Sequence, residues 1–184
     1  MVKTLSTMLP LNTLAPHFSL PDVISGRSVR LPSEISYVAT VICFICNHCP
    51  FVKHINEGLV HLAIDYLPRQ VQFLAINAND IAHYPEDSPE HMQTIAEDLH
   101  YPFPYLYDET QDVAKAYQAA CTPDFFVFNT QLQLIYRGQL DNSRPGNGIP
   151  VTGESIRKAL DETLLGQPVT EMQKPSMGCN IKWK

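Results

Sequence analysis

The sequence of 184 residues predicts an α/β fold organised around a strand, a helix and a second strand. Tyr37-Val38-Ala39-Thr40-Val41-Ile42-Cys43-Phe44-Ile45 is a continuous apolar and β-branched run with the length of a buried strand. Phe51, Ile55, Leu59, Leu62 and Tyr66 then recur at spacings of four, four, three and four, which lays one apolar stripe along a helix. Val71-Gln72-Phe73-Leu74-Ala75-Ile76 is a second apolar run, so the three segments read as a right-handed parallel crossover.

The remaining elements follow in chain order. Residues 1–31 alternate apolar and polar side chains around Gly26 and predict an N-terminal β-hairpin extension. Pro68 ends the first helix just before the second strand. Asn77-Ala78-Asn79-Asp80 leaves the sheet, and Tyr84-Pro85-Glu86-Asp87-Ser88-Pro89-Glu90 has the chemistry of a turn and a helix start ahead of Met92, Ile95, Ala96 and Leu99. Tyr101-Pro102-Phe103-Pro104-Tyr105-Leu106 is too rich in proline for a central strand, while residues 111–120 return to helical spacing through Val113 and Tyr117. A helical insertion is therefore expected between the second strand and Thr122. His83, His91 and His100 share no ligand spacing and read as surface residues.

Asp124-Phe125-Phe126-Val127-Phe128 and Leu134-Ile135-Tyr136-Arg137 predict a hairpin turned by residues 129–133. A loop over 138–150 leads to a helix capped around Thr152 and Gly153, with Ile156, Leu160 and Leu164 inward and Gly166 at its end. Residues 167–184 are polar but carry Met177, Cys179, Ile181 and Trp183, so this tail is expected to pack back on a single domain of residues 1–184. With 45% apolar residues the chain is long enough for one sizeable core.

A net charge of −6, a pI near 5.6 and the lack of a basic cluster speak against nucleic acid and anionic membranes as partners. The sequence has no run of membrane-spanning length, and its first seven residues lack the pattern of a signal peptide, so a cytoplasmic protein is expected. Five cysteines, an odd number, do not suggest a structural disulfide framework.

Cys43, Cys46 and Cys49 stand at three-residue spacing where the first strand runs into the helix, and Cys46-Asn47-His48-Cys49 is a C-x-x-C. With a helix beginning near Asn47 or His48, Cys46 sits at the free amides and the positive dipole end, which favour a thiolate. His48, when protonated, adds to that effect. Cys46 is then the attacking sulfur and Cys49, one turn on, the resolving one. Pro50 fits the first helical turn, which does not need its missing N–H. Zinc or an iron–sulfur cluster on Cys43, Cys46, Cys49 and His48 is the competing arrangement, disfavoured because the sequence has no second paired ligand set. Cys43 itself reads as a buried core thiol.

Cys46-Asn47-His48-Cys49-Pro50 together with Thr122-Pro123 resembles the thioredoxin superfamily. Ala15-Pro16-His17-Phe18-Ser19-Leu20 resembles the opening of the alkyl hydroperoxide reductase and thiol-specific antioxidant group, and the whole chain is similar to its peroxiredoxin-like branch. Residues 77–80, 84–87, 121–126, 141–145 and 175–184 look like blocks of that branch. The resemblance implies a thioredoxin-like three-layer α/β/α fold, a cis peptide bond at Thr122-Pro123 facing the cysteines, and substrates that are disulfide-bearing proteins or small thiols, with no cofactor and no metal. Counted from Cys49, the peroxidase pattern P-x-x-x-T-x-x-C meets Ile42 and Cys46, and counted from Cys46 it meets Ala39 and Cys43. The acidic residue that thioredoxins bury six positions before the attacking cysteine is Thr40 here, leaving water or His48 to move the proton. Asn47-His48 between the cysteines resembles the oxidising members and leads to an expected reduction potential less negative than ~−270 mV. Cys121 and Cys179 are either a second redox pair or two inert thiols. Thiol–disulfide exchange is the leading activity; a thiol-dependent peroxidase and a metal- or redox-responsive binding protein are the alternatives.

Overall fold

The computed structural model describes residues 3–184, so the first two residues of the expected N-terminal extension lie outside the described residues. Strand β1 (Lys3–Leu5) comes first, followed by a hairpin of β2 (Phe18–Pro21) and β3 (Ser28–Leu31) turned at Gly26, whose φ is 69°. Strand β4 (Ala39–Phe44) is buried at every position and feeds helix α1 (Pro50–Tyr66). A single 3₁₀ turn through Leu67–Arg69 then leads to β5 (Val71–Asn77), parallel to β4. Helix α2 (Pro89–Asp98), strand β6 (Tyr105–Tyr107) and the short helix α3 (Asp112–Ala116) form the insertion. Strands β7 (Cys121–Thr122), β8 (Asp124–Asn129) and β9 (Leu134–Gly138) follow, then helix α4 (Glu154–Leu164) and strand β10 (Met177–Asn180).

The central sheet has the order β6-β5-β4-β8-β9, with β4 parallel to β5 and antiparallel to β8. β6 takes the edge and begins only at Tyr105, after the prolines at 102 and 104. Successive β4 side chains point to opposite faces. Val41 and Cys43 join the core under α1 and α4, while Ile42 and Phe44 join a second core with Phe18, Leu20, Tyr117 and Phe126. Two apolar layers on one sheet give the three-layer arrangement. Val52, Ile55, Leu59, Leu62 and Tyr66 carry α1 onto the first core. Each such side chain contributes about 1.5–3 kcal/mol by leaving water.

The tail returns to the body of the protein. β10 lies between β1 and β7, with Cys179 opposite Thr122 and Asn180 opposite Cys121. Gly178 makes that approach possible, because a Cβ there would overlap the Thr122 carbonyl. Beyond β10, Ile181 is buried, the Lys182 amide donates to Asn79 Oδ1 at 2.8 Å and the Lys182 carbonyl accepts from Gln111 Nε2 at 2.8 Å. Trp183 does not join the core and stays 44% exposed. No helix among the described residues is long and apolar enough to cross a membrane.

Candidate active site

The loop between β4 and α1 holds Cys46 and Cys49, both buried, against the turn between β7 and β8. The helix begins at Pro50, not at Asn47 or His48, and this changes which sulfur it serves. A residue before proline is pushed out of the helical region, and Cys49 accordingly has φ −69° and ψ 123°. Cys49 is therefore the N-cap residue and Cys46 lies a further three positions back, away from the free amides. No side-chain hydrogen bond closes the cap, so the first-turn amides act on the Cys49 sulfur as aimed dipoles.

The electrostatics follow that placement. Cys49 has its pKa pulled down to about 5, first by the Cys46 thiol, then against burial by the Cys179 thiol and by the amides of Val52 and Cys179. Cys46 is pushed well above its ordinary value by sharing a proton with Cys49, by burial and by the Asp87 charge. These shifts favour the thiolate on Cys49 and disfavour it on Cys46, the sulfur expected to attack. Cys46 Sγ lies 3.2 Å from Thr122 Oγ1, and Cys49 Sγ lies 3.2 Å from the Thr122 carbonyl oxygen, to which it donates when protonated. The Thr122-Pro123 peptide bond is cis.

Asp87 is the site residue that linear reading does not single out. It is fully buried on a 3₁₀ turn through Pro85–Asp87, and three donors converge on its carboxylate. The Asn47 amide donates to Oδ1 at 2.7 Å, Asn79 Nδ2 to Oδ2 at 2.8 Å and His48 Nδ1 to Oδ2 at 2.6 Å. Asn47 also donates to the Glu86 carbonyl at 2.8 Å and accepts from the Tyr105 hydroxyl at 3.1 Å, which fastens the cysteine loop to this turn. The side-chain amide suits the position because it gives and takes at once. The buried carboxylate beside the cysteine loop thus comes from after β5, while Thr40 faces Gln72. The only sequence signal of Asp87 is its place in the turn and helix start Tyr84-Pro85-Glu86-Asp87-Ser88-Pro89.

His48 stacks on Tyr84 at 5.2 Å between centroids and keeps its ring partly in solvent. Its pKa is raised, first by the Asp87 hydrogen bond, while burial works the other way. Burial also opposes the Asp87 charge, but the hydrogen bonds from His48 and Asn79 outweigh it and hold the carboxyl low. Because the folded His48 pKa is raised, the stability of this pair is fully present below the unfolded value of ~6.5 and is lost as pH rises through the folded value. Asp87→Asn is expected to return the His48 titration, followed by NMR of the ring, toward ~6.5; an unchanged titration would deny the pairing.

Cys46 Sγ and the donor atoms of His48 and Asp87 lie within 4.8 Å of one another, the one such metal-ligand grouping among the described residues. His48 Nδ1 and Asp87 Oδ2 are already bonded to each other, so a metal there must first separate them. Cys43 does not reach the group. It lies in the core, with its pKa pushed up to about 12 by burial. Cys121 and Cys179 are not brought together as a second pair either. Adjacent register positions put their side chains on opposite faces of the small sheet, Cys121 toward the Pro123 carbonyl and Cys179 to within 2.8 Å of Cys49 Sγ.

Residues 11–137 match the model of the AhpC/TSA family. An uncharacterized conserved protein from Geobacillus kaustophilus is 65% identical, with all of this chain and 97% of that one covered and a TM-score of 0.98. A hypothetical protein, SMc02350, from Sinorhizobium meliloti 1021 is 45% identical over 98% of both chains, with a TM-score of 0.96. The thioredoxin domain of a thiol-disulfide oxidoreductase, BVU-2223, from Bacteroides vulgatus is 14% identical, with 82% of this chain and 98% of that one covered and a TM-score of 0.63, which shows a shared fold. A comparison with curated proteins found no match. The α/β architecture is the thioredoxin-like one, and with the match spanning more than half its length the chain belongs to the AhpC/TSA family.

Proposed function

We propose that the protein is a thiol–disulfide oxidoreductase that cycles Cys46 and Cys49 between dithiol and disulfide, acting on disulfide-bearing proteins or small disulfides. The observation that carries this reading is the placement of both sulfurs 3.2 Å from Thr122, with Cys49 at the amides that open α1. The Cys49 thiolate attacks one sulfur of the incoming disulfide and expels the other as a thiolate, which takes up a proton. His48, whose protonated form Asp87 favours, supplies that proton in this reading. Cys46 then gives up its proton and attacks Cys49 Sγ, forming the Cys46–Cys49 disulfide and releasing the reduced partner. The two electrons gained by the substrate are those lost by the dithiol.

A stabilised thiolate makes the disulfide a better oxidant, which supports a reduction potential less negative than ~−270 mV. Family membership also raises peroxide as a substrate, but Ile42 and Cys46 occupy the proline and threonine positions of the peroxidase pattern.

The test is equilibration of the full chain in glutathione buffers, with acid quench and peptide mapping, beside assays of insulin reduction and of peroxide consumption with a thiol donor. A Cys46–Cys49 linked peptide, a midpoint above ~−270 mV and insulin turnover are expected. Peroxide turnover that outpaces disulfide reduction would replace this reading with the peroxidase one, and a midpoint at or below thioredoxin's would remove the oxidising character.

A further inference from the structure

The proposed cycle uses two sulfurs, yet a third touches Cys49. Cys179 Sγ is 2.8 Å from Cys49 Sγ, buried, and reaches it from a different part of the chain. Its position is held on several sides: β10 pairs with both β1 and β7, Gly178 packs onto the Thr122 carbonyl, and the following Lys182 amide is bonded to Asn79. That same Asn79 donates to Asp87, so the tail and the cysteine loop are anchored through one shared network.

From this we infer that Cys179 is a second resolving cysteine, so that Cys49 closes a disulfide with either Cys46 or Cys179. The inference rests on the reading of Cys49 as the attacking thiolate. Each route balances. With a substrate half bound to Cys49, the Cys179 sulfur attacks Cys49 Sγ, the Cys49–substrate bond breaks, and the proton leaving Cys179 goes to the departing thiolate. The Cys49–Cys179 disulfide that results holds the same oxidation as Cys46–Cys49. The two interconvert by exchange: Cys179 attacks Cys49, Cys46 leaves and takes the proton, and no further oxidant or reductant is needed.

The exchange has a structural consequence. A Cys46–Cys49 bond stays within one loop, whereas a Cys49–Cys179 bond staples the tail strand β10 to the start of α1 and frees Cys46 beside Thr122. The protein then carries a free thiol at its site while oxidised, so a second exchange at Cys46 can begin before the first disulfide is reduced.

Full-length Cys46→Ser, Cys179→Ser, the double variant and wild type are incubated with oxidised glutathione, quenched in acid and mapped by mass spectrometry. Fragmentation between Cys43 and Cys49 assigns the sulfur used. In Cys46→Ser, a Cys49–Cys179 linked peptide is expected, with loss of the glutathione mass. In the double variant the glutathione adduct on Cys49 persists. A stable adduct in Cys46→Ser, as long-lived as in the double variant and without the linked peptide, overturns the inference while leaving the Cys46–Cys49 reading intact. If wild type and Cys179→Ser form no Cys46–Cys49 link and the double variant no adduct, both readings fall.

Discussion

Cys49→Ser is expected to lose disulfide exchange down to the uncatalysed background, the largest effect of any single substitution at the site. Cys49 is the sulfur that both Cys46 and Cys179 reach, so it is common to both disulfides proposed above. An ordinary cysteine, with a pKa of ~8.5, is only a few per cent thiolate at neutral pH, whereas the Cys46 thiol draws the Cys49 pKa down to about 5 and so favours its thiolate. A serine hydroxyl in its place is neither ionised nor a sulfur nucleophile. The companion measurement is the rate of iodoacetamide labelling at Cys49 against pH. Labelling is present above the depressed pKa and lost as pH falls through about 5, instead of through ~8.5. Serine at 46 still offers a hydrogen-bond donor to Cys49, so Cys46→Ser keeps much of the depression and Cys46→Ala keeps less. Labelling that inflects near ~8.5, or that reaches Cys46 before Cys49, would return the attacking role to Cys46.

The start of α1 at Pro50 shows where linear reading succeeds and where it stops. The strand-to-helix junction, the apolar stripe of α1 and the hairpin of β8 and β9 are written in side-chain periodicity, which is local. The start of α1 was also in the sequence, because proline both opens a helix and bars the residue before it from helical angles. Placing Pro50 inside the first turn instead of at its first position moves the amides by a few residues, from Cys49 back toward Cys46. Asp87 and Cys179 are a different matter. Their contacts to the cysteine loop span 39 and 130 residues of chain, and no spacing rule reaches that far. A pairing of Cys121 with Cys179 was open in the sequence, but strand alternation turns these adjacent register positions to opposite faces.

Asp124→Ala is expected to destabilise the protein by about 3–5 kcal/mol, the largest stability effect of a single polar substitution. Asp124 follows Pro123 on β8, and its Oδ2 accepts from Arg137 Nη2 at 3.1 Å and from the Ala120 amide at 3.2 Å. Both side chains are fully buried. The guanidinium also lies 4.0 Å from the Phe126 ring centroid and donates to the Tyr117 and Gln118 carbonyls, each at 3.2 Å. Burial pushes the Asp124 carboxyl up to about 7 even though Arg137 pulls it down, so desolvation is the strongest influence on the pair. Removing the carboxylate leaves a buried cation with carbonyls but no counter-charge. At roughly 2–4 °C per kcal/mol for a chain of this size, the melting temperature falls by about 6–20 °C. The exposed Arg69–Asp161 pair, 2.9 Å long but half in solvent, is expected to change stability by no more than about 1 kcal/mol when broken. A double replacement, Asp124→Leu with Arg137→Met, separates the cost of an orphaned charge from the worth of the ion pair: it should recover most of the lost stability, because neither charge remains buried. The pair also ties the chain on both sides of Thr122-Pro123 through Ala120 and β9, so Asp124→Ala should weaken the hold of Thr122 on Cys46 and slow exchange under conditions where the variant is still folded. Unchanged melting in Asp124→Ala, or a double variant no more stable than the single one, would contradict this account of what holds the turn.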